Sequence, residues 1–185
     1  FRSEPDAIRA ARHASMEHGV EPVSPAAGAF LSSLVALTSA QSIVEVGTGL
    51  GVASQWLLAG GTNVHLTSID RDVDHQQSAK DLFASAGIPA SRVRLISGDA
   101  NEILPRMNEG TYDLVVVNSQ NKGVLRITQS ALHLARPGGV VALQVHTADP
   151  ARAVVHIEIR RQPGVFRLER HVLARGEVQI GRAHV

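Results

Sequence analysis

Ile43-Val44-Glu45-Val46-Gly47-Thr48-Gly49-Leu50-Gly51 is a β-branched run that breaks into a glycine-rich turn, and the apolar segment Val52 to Ala59 follows with helical character. Strand, tight turn and helix in that order open a nucleotide-binding α/β unit. Glycines suit the turn because they accept positive φ and let a ligand come close to the backbone. The free N–H groups and positive potential of the following helix start add an anion-friendly element. The spacing is Gly-x-Gly-x-Gly, not the Gly-x-Gly-x-x-Gly of a pyrophosphate site, and Glu45 sits two residues before the first glycine. A carboxylate there repels a diphosphate and suits a cationic ligand. A purely structural strand–helix turn is the alternative reading.

Working along the chain from that turn, Val64 to Ile69 reads as a second strand ending at Asp70, placed where an acid can hold ribose hydroxyls. Asp72 caps a helix to Ala86, which Gly87 and Pro89 stop. Arg92 to Ile96 is a third strand, followed by Gly98-Asp99-Ala100 and a short helix to about Met107. Asp113 to Val117 is apolar and β-branched, as a central parallel strand should be. Val124 to Ala135 reads as a helix, Val140 to Val145 as a fifth strand, Pro150 to about Arg161 as a helix, and Phe166 to Ile180 as a closing hairpin around Arg175-Gly176. Upstream, Ser3 to His18 reads as a helix capped by Ser3 and stopped by Gly19, and Pro25 opens a helix to about Thr38. Alternating strands and helices imply a doubly wound sheet with right-handed crossovers and a ligand site beyond its carboxyl edge. Glu45, Asp70, Asp99 and Asn118 all fall at strand ends, which is the residue-level case for one site.

Composition narrows the function. The 185 residues suffice for one domain, and the formal charge of +1 gives no field for nucleic acid or an anionic membrane. There is no cysteine, hence no disulfide, thiolate nucleophile or thiolate metal site. No apolar run spans a bilayer and no signal peptide is visible, so a cytoplasmic location is the expectation. The chain starts at Phe1, and Ile180-Gly181-Arg182-Ala183-His184-Val185 resembles the translated read-through of a sequencing adapter, so 180–185 is set aside as a non-native tail.

Val44-Glu45-Val46-Gly47-Thr48-Gly49, Thr67-Ser68-Ile69-Asp70, Ser97-Gly98-Asp99-Ala100, Tyr112 to Val117 and Arg136 to Val141 together resemble the class I S-adenosylmethionine-dependent methyltransferases. More narrowly they resemble the O-methyltransferase family of the catechol and caffeoyl-CoA enzymes. The resemblance covers roughly residues 20 to 180. It implies a Rossmann-like methyltransferase sheet, mostly parallel with an antiparallel C-terminal hairpin strand, in a domain of residues 23–179 behind a lid and dimer helix in residues 1–22. It implies S-adenosyl-L-methionine as cofactor, a small-molecule methyl acceptor, and a homodimer in many relatives.

Carried over residue by residue, Val23 lies over the methionine part of the cofactor. Glu45, Gly47, Thr48, Gly49 and Gly51 wrap its homocysteine end. Asp70 takes the ribose hydroxyls, or caps a helix, although Asp72 is the better cap. Asp99 and Ala100 meet the adenine edge, with a helix cap again the alternative for Asp99. Where the family has Ser after the third glycine this chain has Ala53, with Ser54 next as the substitute. The family's strand-four Asp-Ala-Asp-Lys is Asn118-Ser119-Gln120-Asn121 here, and its strand-five Asp-Asn is Gln144-Val145. Hard cations want carboxylate oxygens, so no metal site is expected. Without a metal the proton of a hydroxyl acceptor needs a side-chain base, and His146, just past strand five, is the candidate. Two other readings stay open: a family member that binds the cofactor without catalysis, and an NAD-dependent oxidoreductase, which the glycine spacing and Glu45 disfavour.

Overall fold

The computed structural model describes residues 3–118, 123–145 and 154–160, together with the backbone of two short strands, Leu173–Ala174 and Glu177–Val178. The element order is α1 (Asp6–Glu17), α2 (Pro25–Thr38), β1 (Ser42–Val46), α3 (Val52–Ala59), β2 (His65–Asp70), α4 (Val73–Ser85), β3 (Val93–Ser97), α5 (Ala100–Ile103), β4 (Tyr112–Val117), α6 (Val124–Leu134), β5 (Ala135–Val145), β6 (Val154–Ile159), β7 (Leu173–Ala174) and β8 (Glu177–Val178).

Six strands form one sheet in the order β3-β2-β1-β4-β5-β6. The first five are parallel, in register Val44 with Thr67 and Val115, and Val116 with Ala142. β6 runs antiparallel to β5, pairing Ala142 with Ile157. Strand order reverses beside β1, so the crevice expected of an open α/β sheet lies at the carboxyl ends of β1 and β4.

Alternation along the strands builds two cores. Ile43, Leu66, Leu114, Val116 and Ala142 pack with α1, α2 and α3, while Val44, Val46, Val115, Val117 and Val141 pack with Ala100, Leu104, Ile127, Ala131 and Leu134. α2 and α3 approach closely because Gly28 leaves room for the Trp56 indole. A Cβ on Gly28 would lie 2.2 Å from Trp56 Cδ1. Gly28→Ala is therefore expected to cost about 1–3 kcal/mol by overpacking, read as a lower denaturant midpoint at unchanged slope. A midpoint equal to wild type would show that the indole moves freely.

Two expectations are corrected. The helix expected over Pro150 to Arg161 is β6: Val154, Val155, Ile157 and Ile159 are β-branched, and His156 and Glu158 alternate with Ile157 and Ile159, a period of two. β6 supplies the antiparallel strand expected on the C-terminal side of a mostly parallel sheet, and β7 and β8 pair with each other. α1 starts at Asp6 with Pro5 in the cap position instead of Ser3, because a residue before proline is disfavoured in helical conformation. α2 spans the expected residues, with Ser24 Oγ accepting from the Ala27 N–H at 3.2 Å, and Asp72 caps α4 through the N–H groups of Asp74 and His75.

Candidate functional site

The turn after β1 holds the site open. Gly47, Gly49 and Gly51 all have positive φ (94°, 49° and 83°), and Gly51 occupies the N-cap position of α3. Gly47 is the tightest: its N–H donates to the Ile69 carbonyl, and a Cβ there would lie 2.0 Å from the Asn118 carbonyl oxygen. No residue but glycine lets β1 and β4 run on in parallel past this point.

Two adjoining chambers of about 260 and 280 Å3 open around the turn and share Gly47, Asp70, His75 and Asn118. The first lies between Thr48, Gly49, Leu50, Val52 and Ala53 on one side and the segment Gly19 to Val23 on the other. The second is bounded by Asp70, Arg71, Asp72, Gly98, Asp99, Ala100 and Ile127. Val23, Gly47, Thr48, Gly49, Ala53, Asp70, Asp99, Ala100 and Asn118 are thus gathered on one cleft, from six separate segments of chain.

The acids at strand ends divide by role. Asp70 ends β2 with Oδ2 accepting from the Gly49 N–H at 2.8 Å and Oδ1 from the Asp72 N–H at 3.1 Å, so it fastens the glycine turn to β2 while its carboxylate borders both chambers. Asp99 caps α5 through the Asn101 N–H at 2.8 Å, and that bond with the Asn101 side-chain amide holds its carboxyl below the usual range. It also lines the second chamber, so capping and lining coexist.

Glu45 and Ser54 are placed otherwise. Glu45 is 0% exposed and lines neither chamber. Its Oε2 accepts from Ser68 Oγ at 2.6 Å and from Ser54 Oγ, while Oε1 has no hydrogen-bond partner among the described residues. Ser54 is buried and spends its hydroxyl on Glu45, so it does not stand in the chamber in place of the missing serine at Ala53. The physical reason is the alternation of β1, which sends Glu45 to the face that α3 covers. Gly51 also stays off the chamber walls, set by Phe83, whose ring a Cβ there would meet at 2.5 Å. His146 lies outside the described residues.

Burial pushes the Glu45 carboxyl up to about 7, the two hydroxyl bonds pull it back, and Asp70 adds a smaller upward push. The folded chain then keeps a proton that the unfolded chain releases near 4.5, so this stabilisation is full below that pH and is lost as pH rises through 7. Wild type minus Glu45→Gln stability is expected to fall by about 1 kcal/mol per pH unit between pH 5 and 7. Chemical denaturation across that range checks it, and a pH-independent difference would refute the raised value.

Of the N-terminal wall, the sequence singles out Val23 alone as a site residue. Ser15, Gly19, Val20, Glu21 and Pro22 line the first chamber because Val20 N–H bonds back to the Ser15 carbonyl and Arg12 donates to the Val23 carbonyl while pairing with Glu4 at 2.7 Å. His75, in the first turn of α4 and 3.6 Å from Asp72, lines both chambers as well.

The resemblance implies a divalent cation near the ends of β4 and β5. Asn118 and Gln144 present amides there, and Gln144 Oε1 is buried without a partner among the described residues. Amide oxygens without a carboxylate do not fit a hard dication. Among the described residues no cluster of three His, Asp or Glu could hold one.

Comparison with known proteins agrees with this geometry. Residues 44–144 match the family model described as a methyltransferase domain. A candidate O-methyltransferase of Mycobacteroides abscessus is 43% identical over 142 residues, 76% of this chain and 66% of the relative; another, from Mycobacterium marinum, is 41% identical over 155 residues, 80% and 69%. The chain spans about two thirds of the length of such relatives. Among solved structures, the O-methyltransferase TomG of Streptomyces achromogenes, involved in tomaymycin synthesis and bound to S-adenosylmethionine, is 30% identical, with a TM-score of 0.70 over 77% of this chain and 66% of that one. The chain belongs to the S-adenosylmethionine-dependent methyltransferase-domain family, in its O-methyltransferase branch. Among the described residues no helix is long and apolar enough to cross a membrane.

Proposed function

We propose that the chain binds S-adenosylmethionine in the two-chambered cleft and transfers its methyl group to a hydroxyl of a small molecule, without a divalent metal. The carrying observation is the joint placement of the Gly47–Gly49 turn and the Asp70 carboxylate at the point where strand order reverses. TomG, at 30% identity, holds S-adenosylmethionine on the same fold. The first chamber suits the amino-acid end, with Val23, Thr48 and Ala53 as walls, and the second suits adenosine, with Asp70 for the ribose and Asp99 and Ala100 at the base.

Methyl transfer is an in-line displacement: the acceptor oxygen bonds to the methyl carbon, and the S–C electron pair stays on sulfur. Orientation supplies much of the rate. The proton of the hydroxyl passes to a base, for which His146 remains the proposed group. The amides at 118 and 144 support the metal-free reading.

Radiolabelled transfer to a panel of small phenols and alcohols is expected to survive a chelator unchanged. Activity that a chelator removes and Mg2+ restores would overturn the metal-free part. Ala53 and Asn118 favour a second reading, a cofactor-binding protein without turnover. Product binding with no transfer to any panel member would support it.

A further inference from the structure

Glu45 touches neither chamber, yet a carboxyl is held there at a cost that a neutral residue would avoid. Its surroundings are polarised toward it. Ser54 and Ser68 both donate to Oε2. Because Ser68 gives its proton to Glu45, Thr48 Oγ1 must donate to Ser68 in their 2.7 Å bond, and Gln76 Nε2 donates toward Thr48 at 3.4 Å. Ser97 Oγ in turn donates to Gln76 Oε1 at 2.6 Å. Four elements, α3, β2, α4 and β3, thus line up donors that end on one acceptor. Thr48 begins the last part of that line and is itself a wall of the first chamber. Glu45 lies two residues below Gly47, the glycine shared by both chambers.

Taking the cofactor reading above as given, we propose that Glu45 is a buried counter-charge for the cofactor, a specificity-determining residue that favours the cationic methyl donor over its uncharged product without touching either. S-adenosylmethionine carries an ammonium, a carboxylate and a sulfonium, net +1. After transfer the sulfur is a thioether and the net charge is zero. Everything else that the cleft can recognise is common to the two. A charge buried under the turn acts through low dielectric and is little screened by salt. It therefore reads the one property that changes in the reaction, and helps product leave.

The raised titration of Glu45 supports this with a proton linkage. Burial and the Asp70 carboxylate favour the neutral form, and a cation in the cleft favours the ionised form, so donor binding near neutrality releases a proton and product binding does not. Among the described residues, the other charged groups around the cleft are Asp70 on β2, Arg71 beyond it, Asp72 and His75 at the start of α4, Asp99 before α5, and Glu21 on the N-terminal wall.

The test is titration calorimetry of the full chain with S-adenosylmethionine and with S-adenosylhomocysteine from pH 6 to 8.5. In wild type the affinity ratio of donor to product is expected to rise about five- to tenfold across that range. In Glu45→Gln the ratio should be lower and flat, and in His75→Gln it should still rise. Repeating the wild type at pH 7 in two buffers of different ionisation enthalpy, which needs no variant, should show proton release with the donor and not with the product. A pH-flat ratio shared by wild type and Glu45→Gln, or equal proton release with both ligands, would overturn the inference. Binding of neither ligand by wild type would instead overturn the cofactor reading on which it rests.

Discussion

Gly47→Ala is expected to abolish binding of S-adenosylhomocysteine and to destabilise the fold by about 3 kcal/mol, the sum of a positive-φ penalty and an overpacking term. The residue sits at φ 94° with a would-be Cβ 2.0 Å from the Asn118 carbonyl oxygen and 2.9 Å from its carbon. Neither side can give. Asn118 N–H donates to the Val46 carbonyl at 2.8 Å, and Gly47 N–H donates to Ile69 at 2.8 Å. Relief requires the ends of β1 and β4 to part, which opens the floor of both chambers. Gly87→Ala is the control: its φ is 69°, yet nothing lies within 4 Å of the added carbon. It should cost only about 1–2 kcal/mol and keep ligand affinity. Equal behaviour of the two variants, in calorimetry and in chemical denaturation, would show that the close approach to Asn118 is irrelevant.

Asp70→Asn is expected to weaken S-adenosylhomocysteine binding about 100-fold, the size of losing charged hydrogen bonds. Both carboxylate oxygens already accept backbone N–H groups, from Gly49 and from Asp72. The amide replaces one acceptor with a donor that must face an N–H. The turn then loses its tether to β2 at the same time as a ribose would lose its charged partner. Calorimetric titration checks the size. A loss under threefold would mean that Asp70 serves the loop alone.

What was legible in the sequence follows from local physics. Asp72 and Asp99 declare helix starts because a short polar side chain can satisfy the N–H groups two or three residues on, and the structure shows both sets of bonds. The Gly-x-Gly-x-Gly turn and the apolar β4 likewise carry their conformation in their own residues. What failed needed tertiary knowledge. Period two places Glu45 and Val44 on opposite faces, but only the packing of α3 determines that the Glu45 face is sealed. Ser54 reads as a ligand in the sequence, but its hydroxyl is spent on Glu45. Gly19 to Pro22 join Val23 in a chamber wall that Arg12 of α1 fastens, a contact with no local signature. β6 was misread because its β-branched, alternating pattern follows a Pro-Ala-Arg-Ala opening, residues 150–153, that suggests a helix.

The most direct test of the account is thermal unfolding with and without S-adenosylhomocysteine, beside NADH as a control. At roughly 100 times its dissociation constant the ligand should add about 2.7 kcal/mol, a rise in Tm of several degrees for a domain of this size. A shift with adenosylhomocysteine and none with NADH is the predicted result. No shift from a cooperatively folded sample would contradict the account, and would mean that the turn, Asp70 and the two chambers keep the architecture of the family without its cofactor.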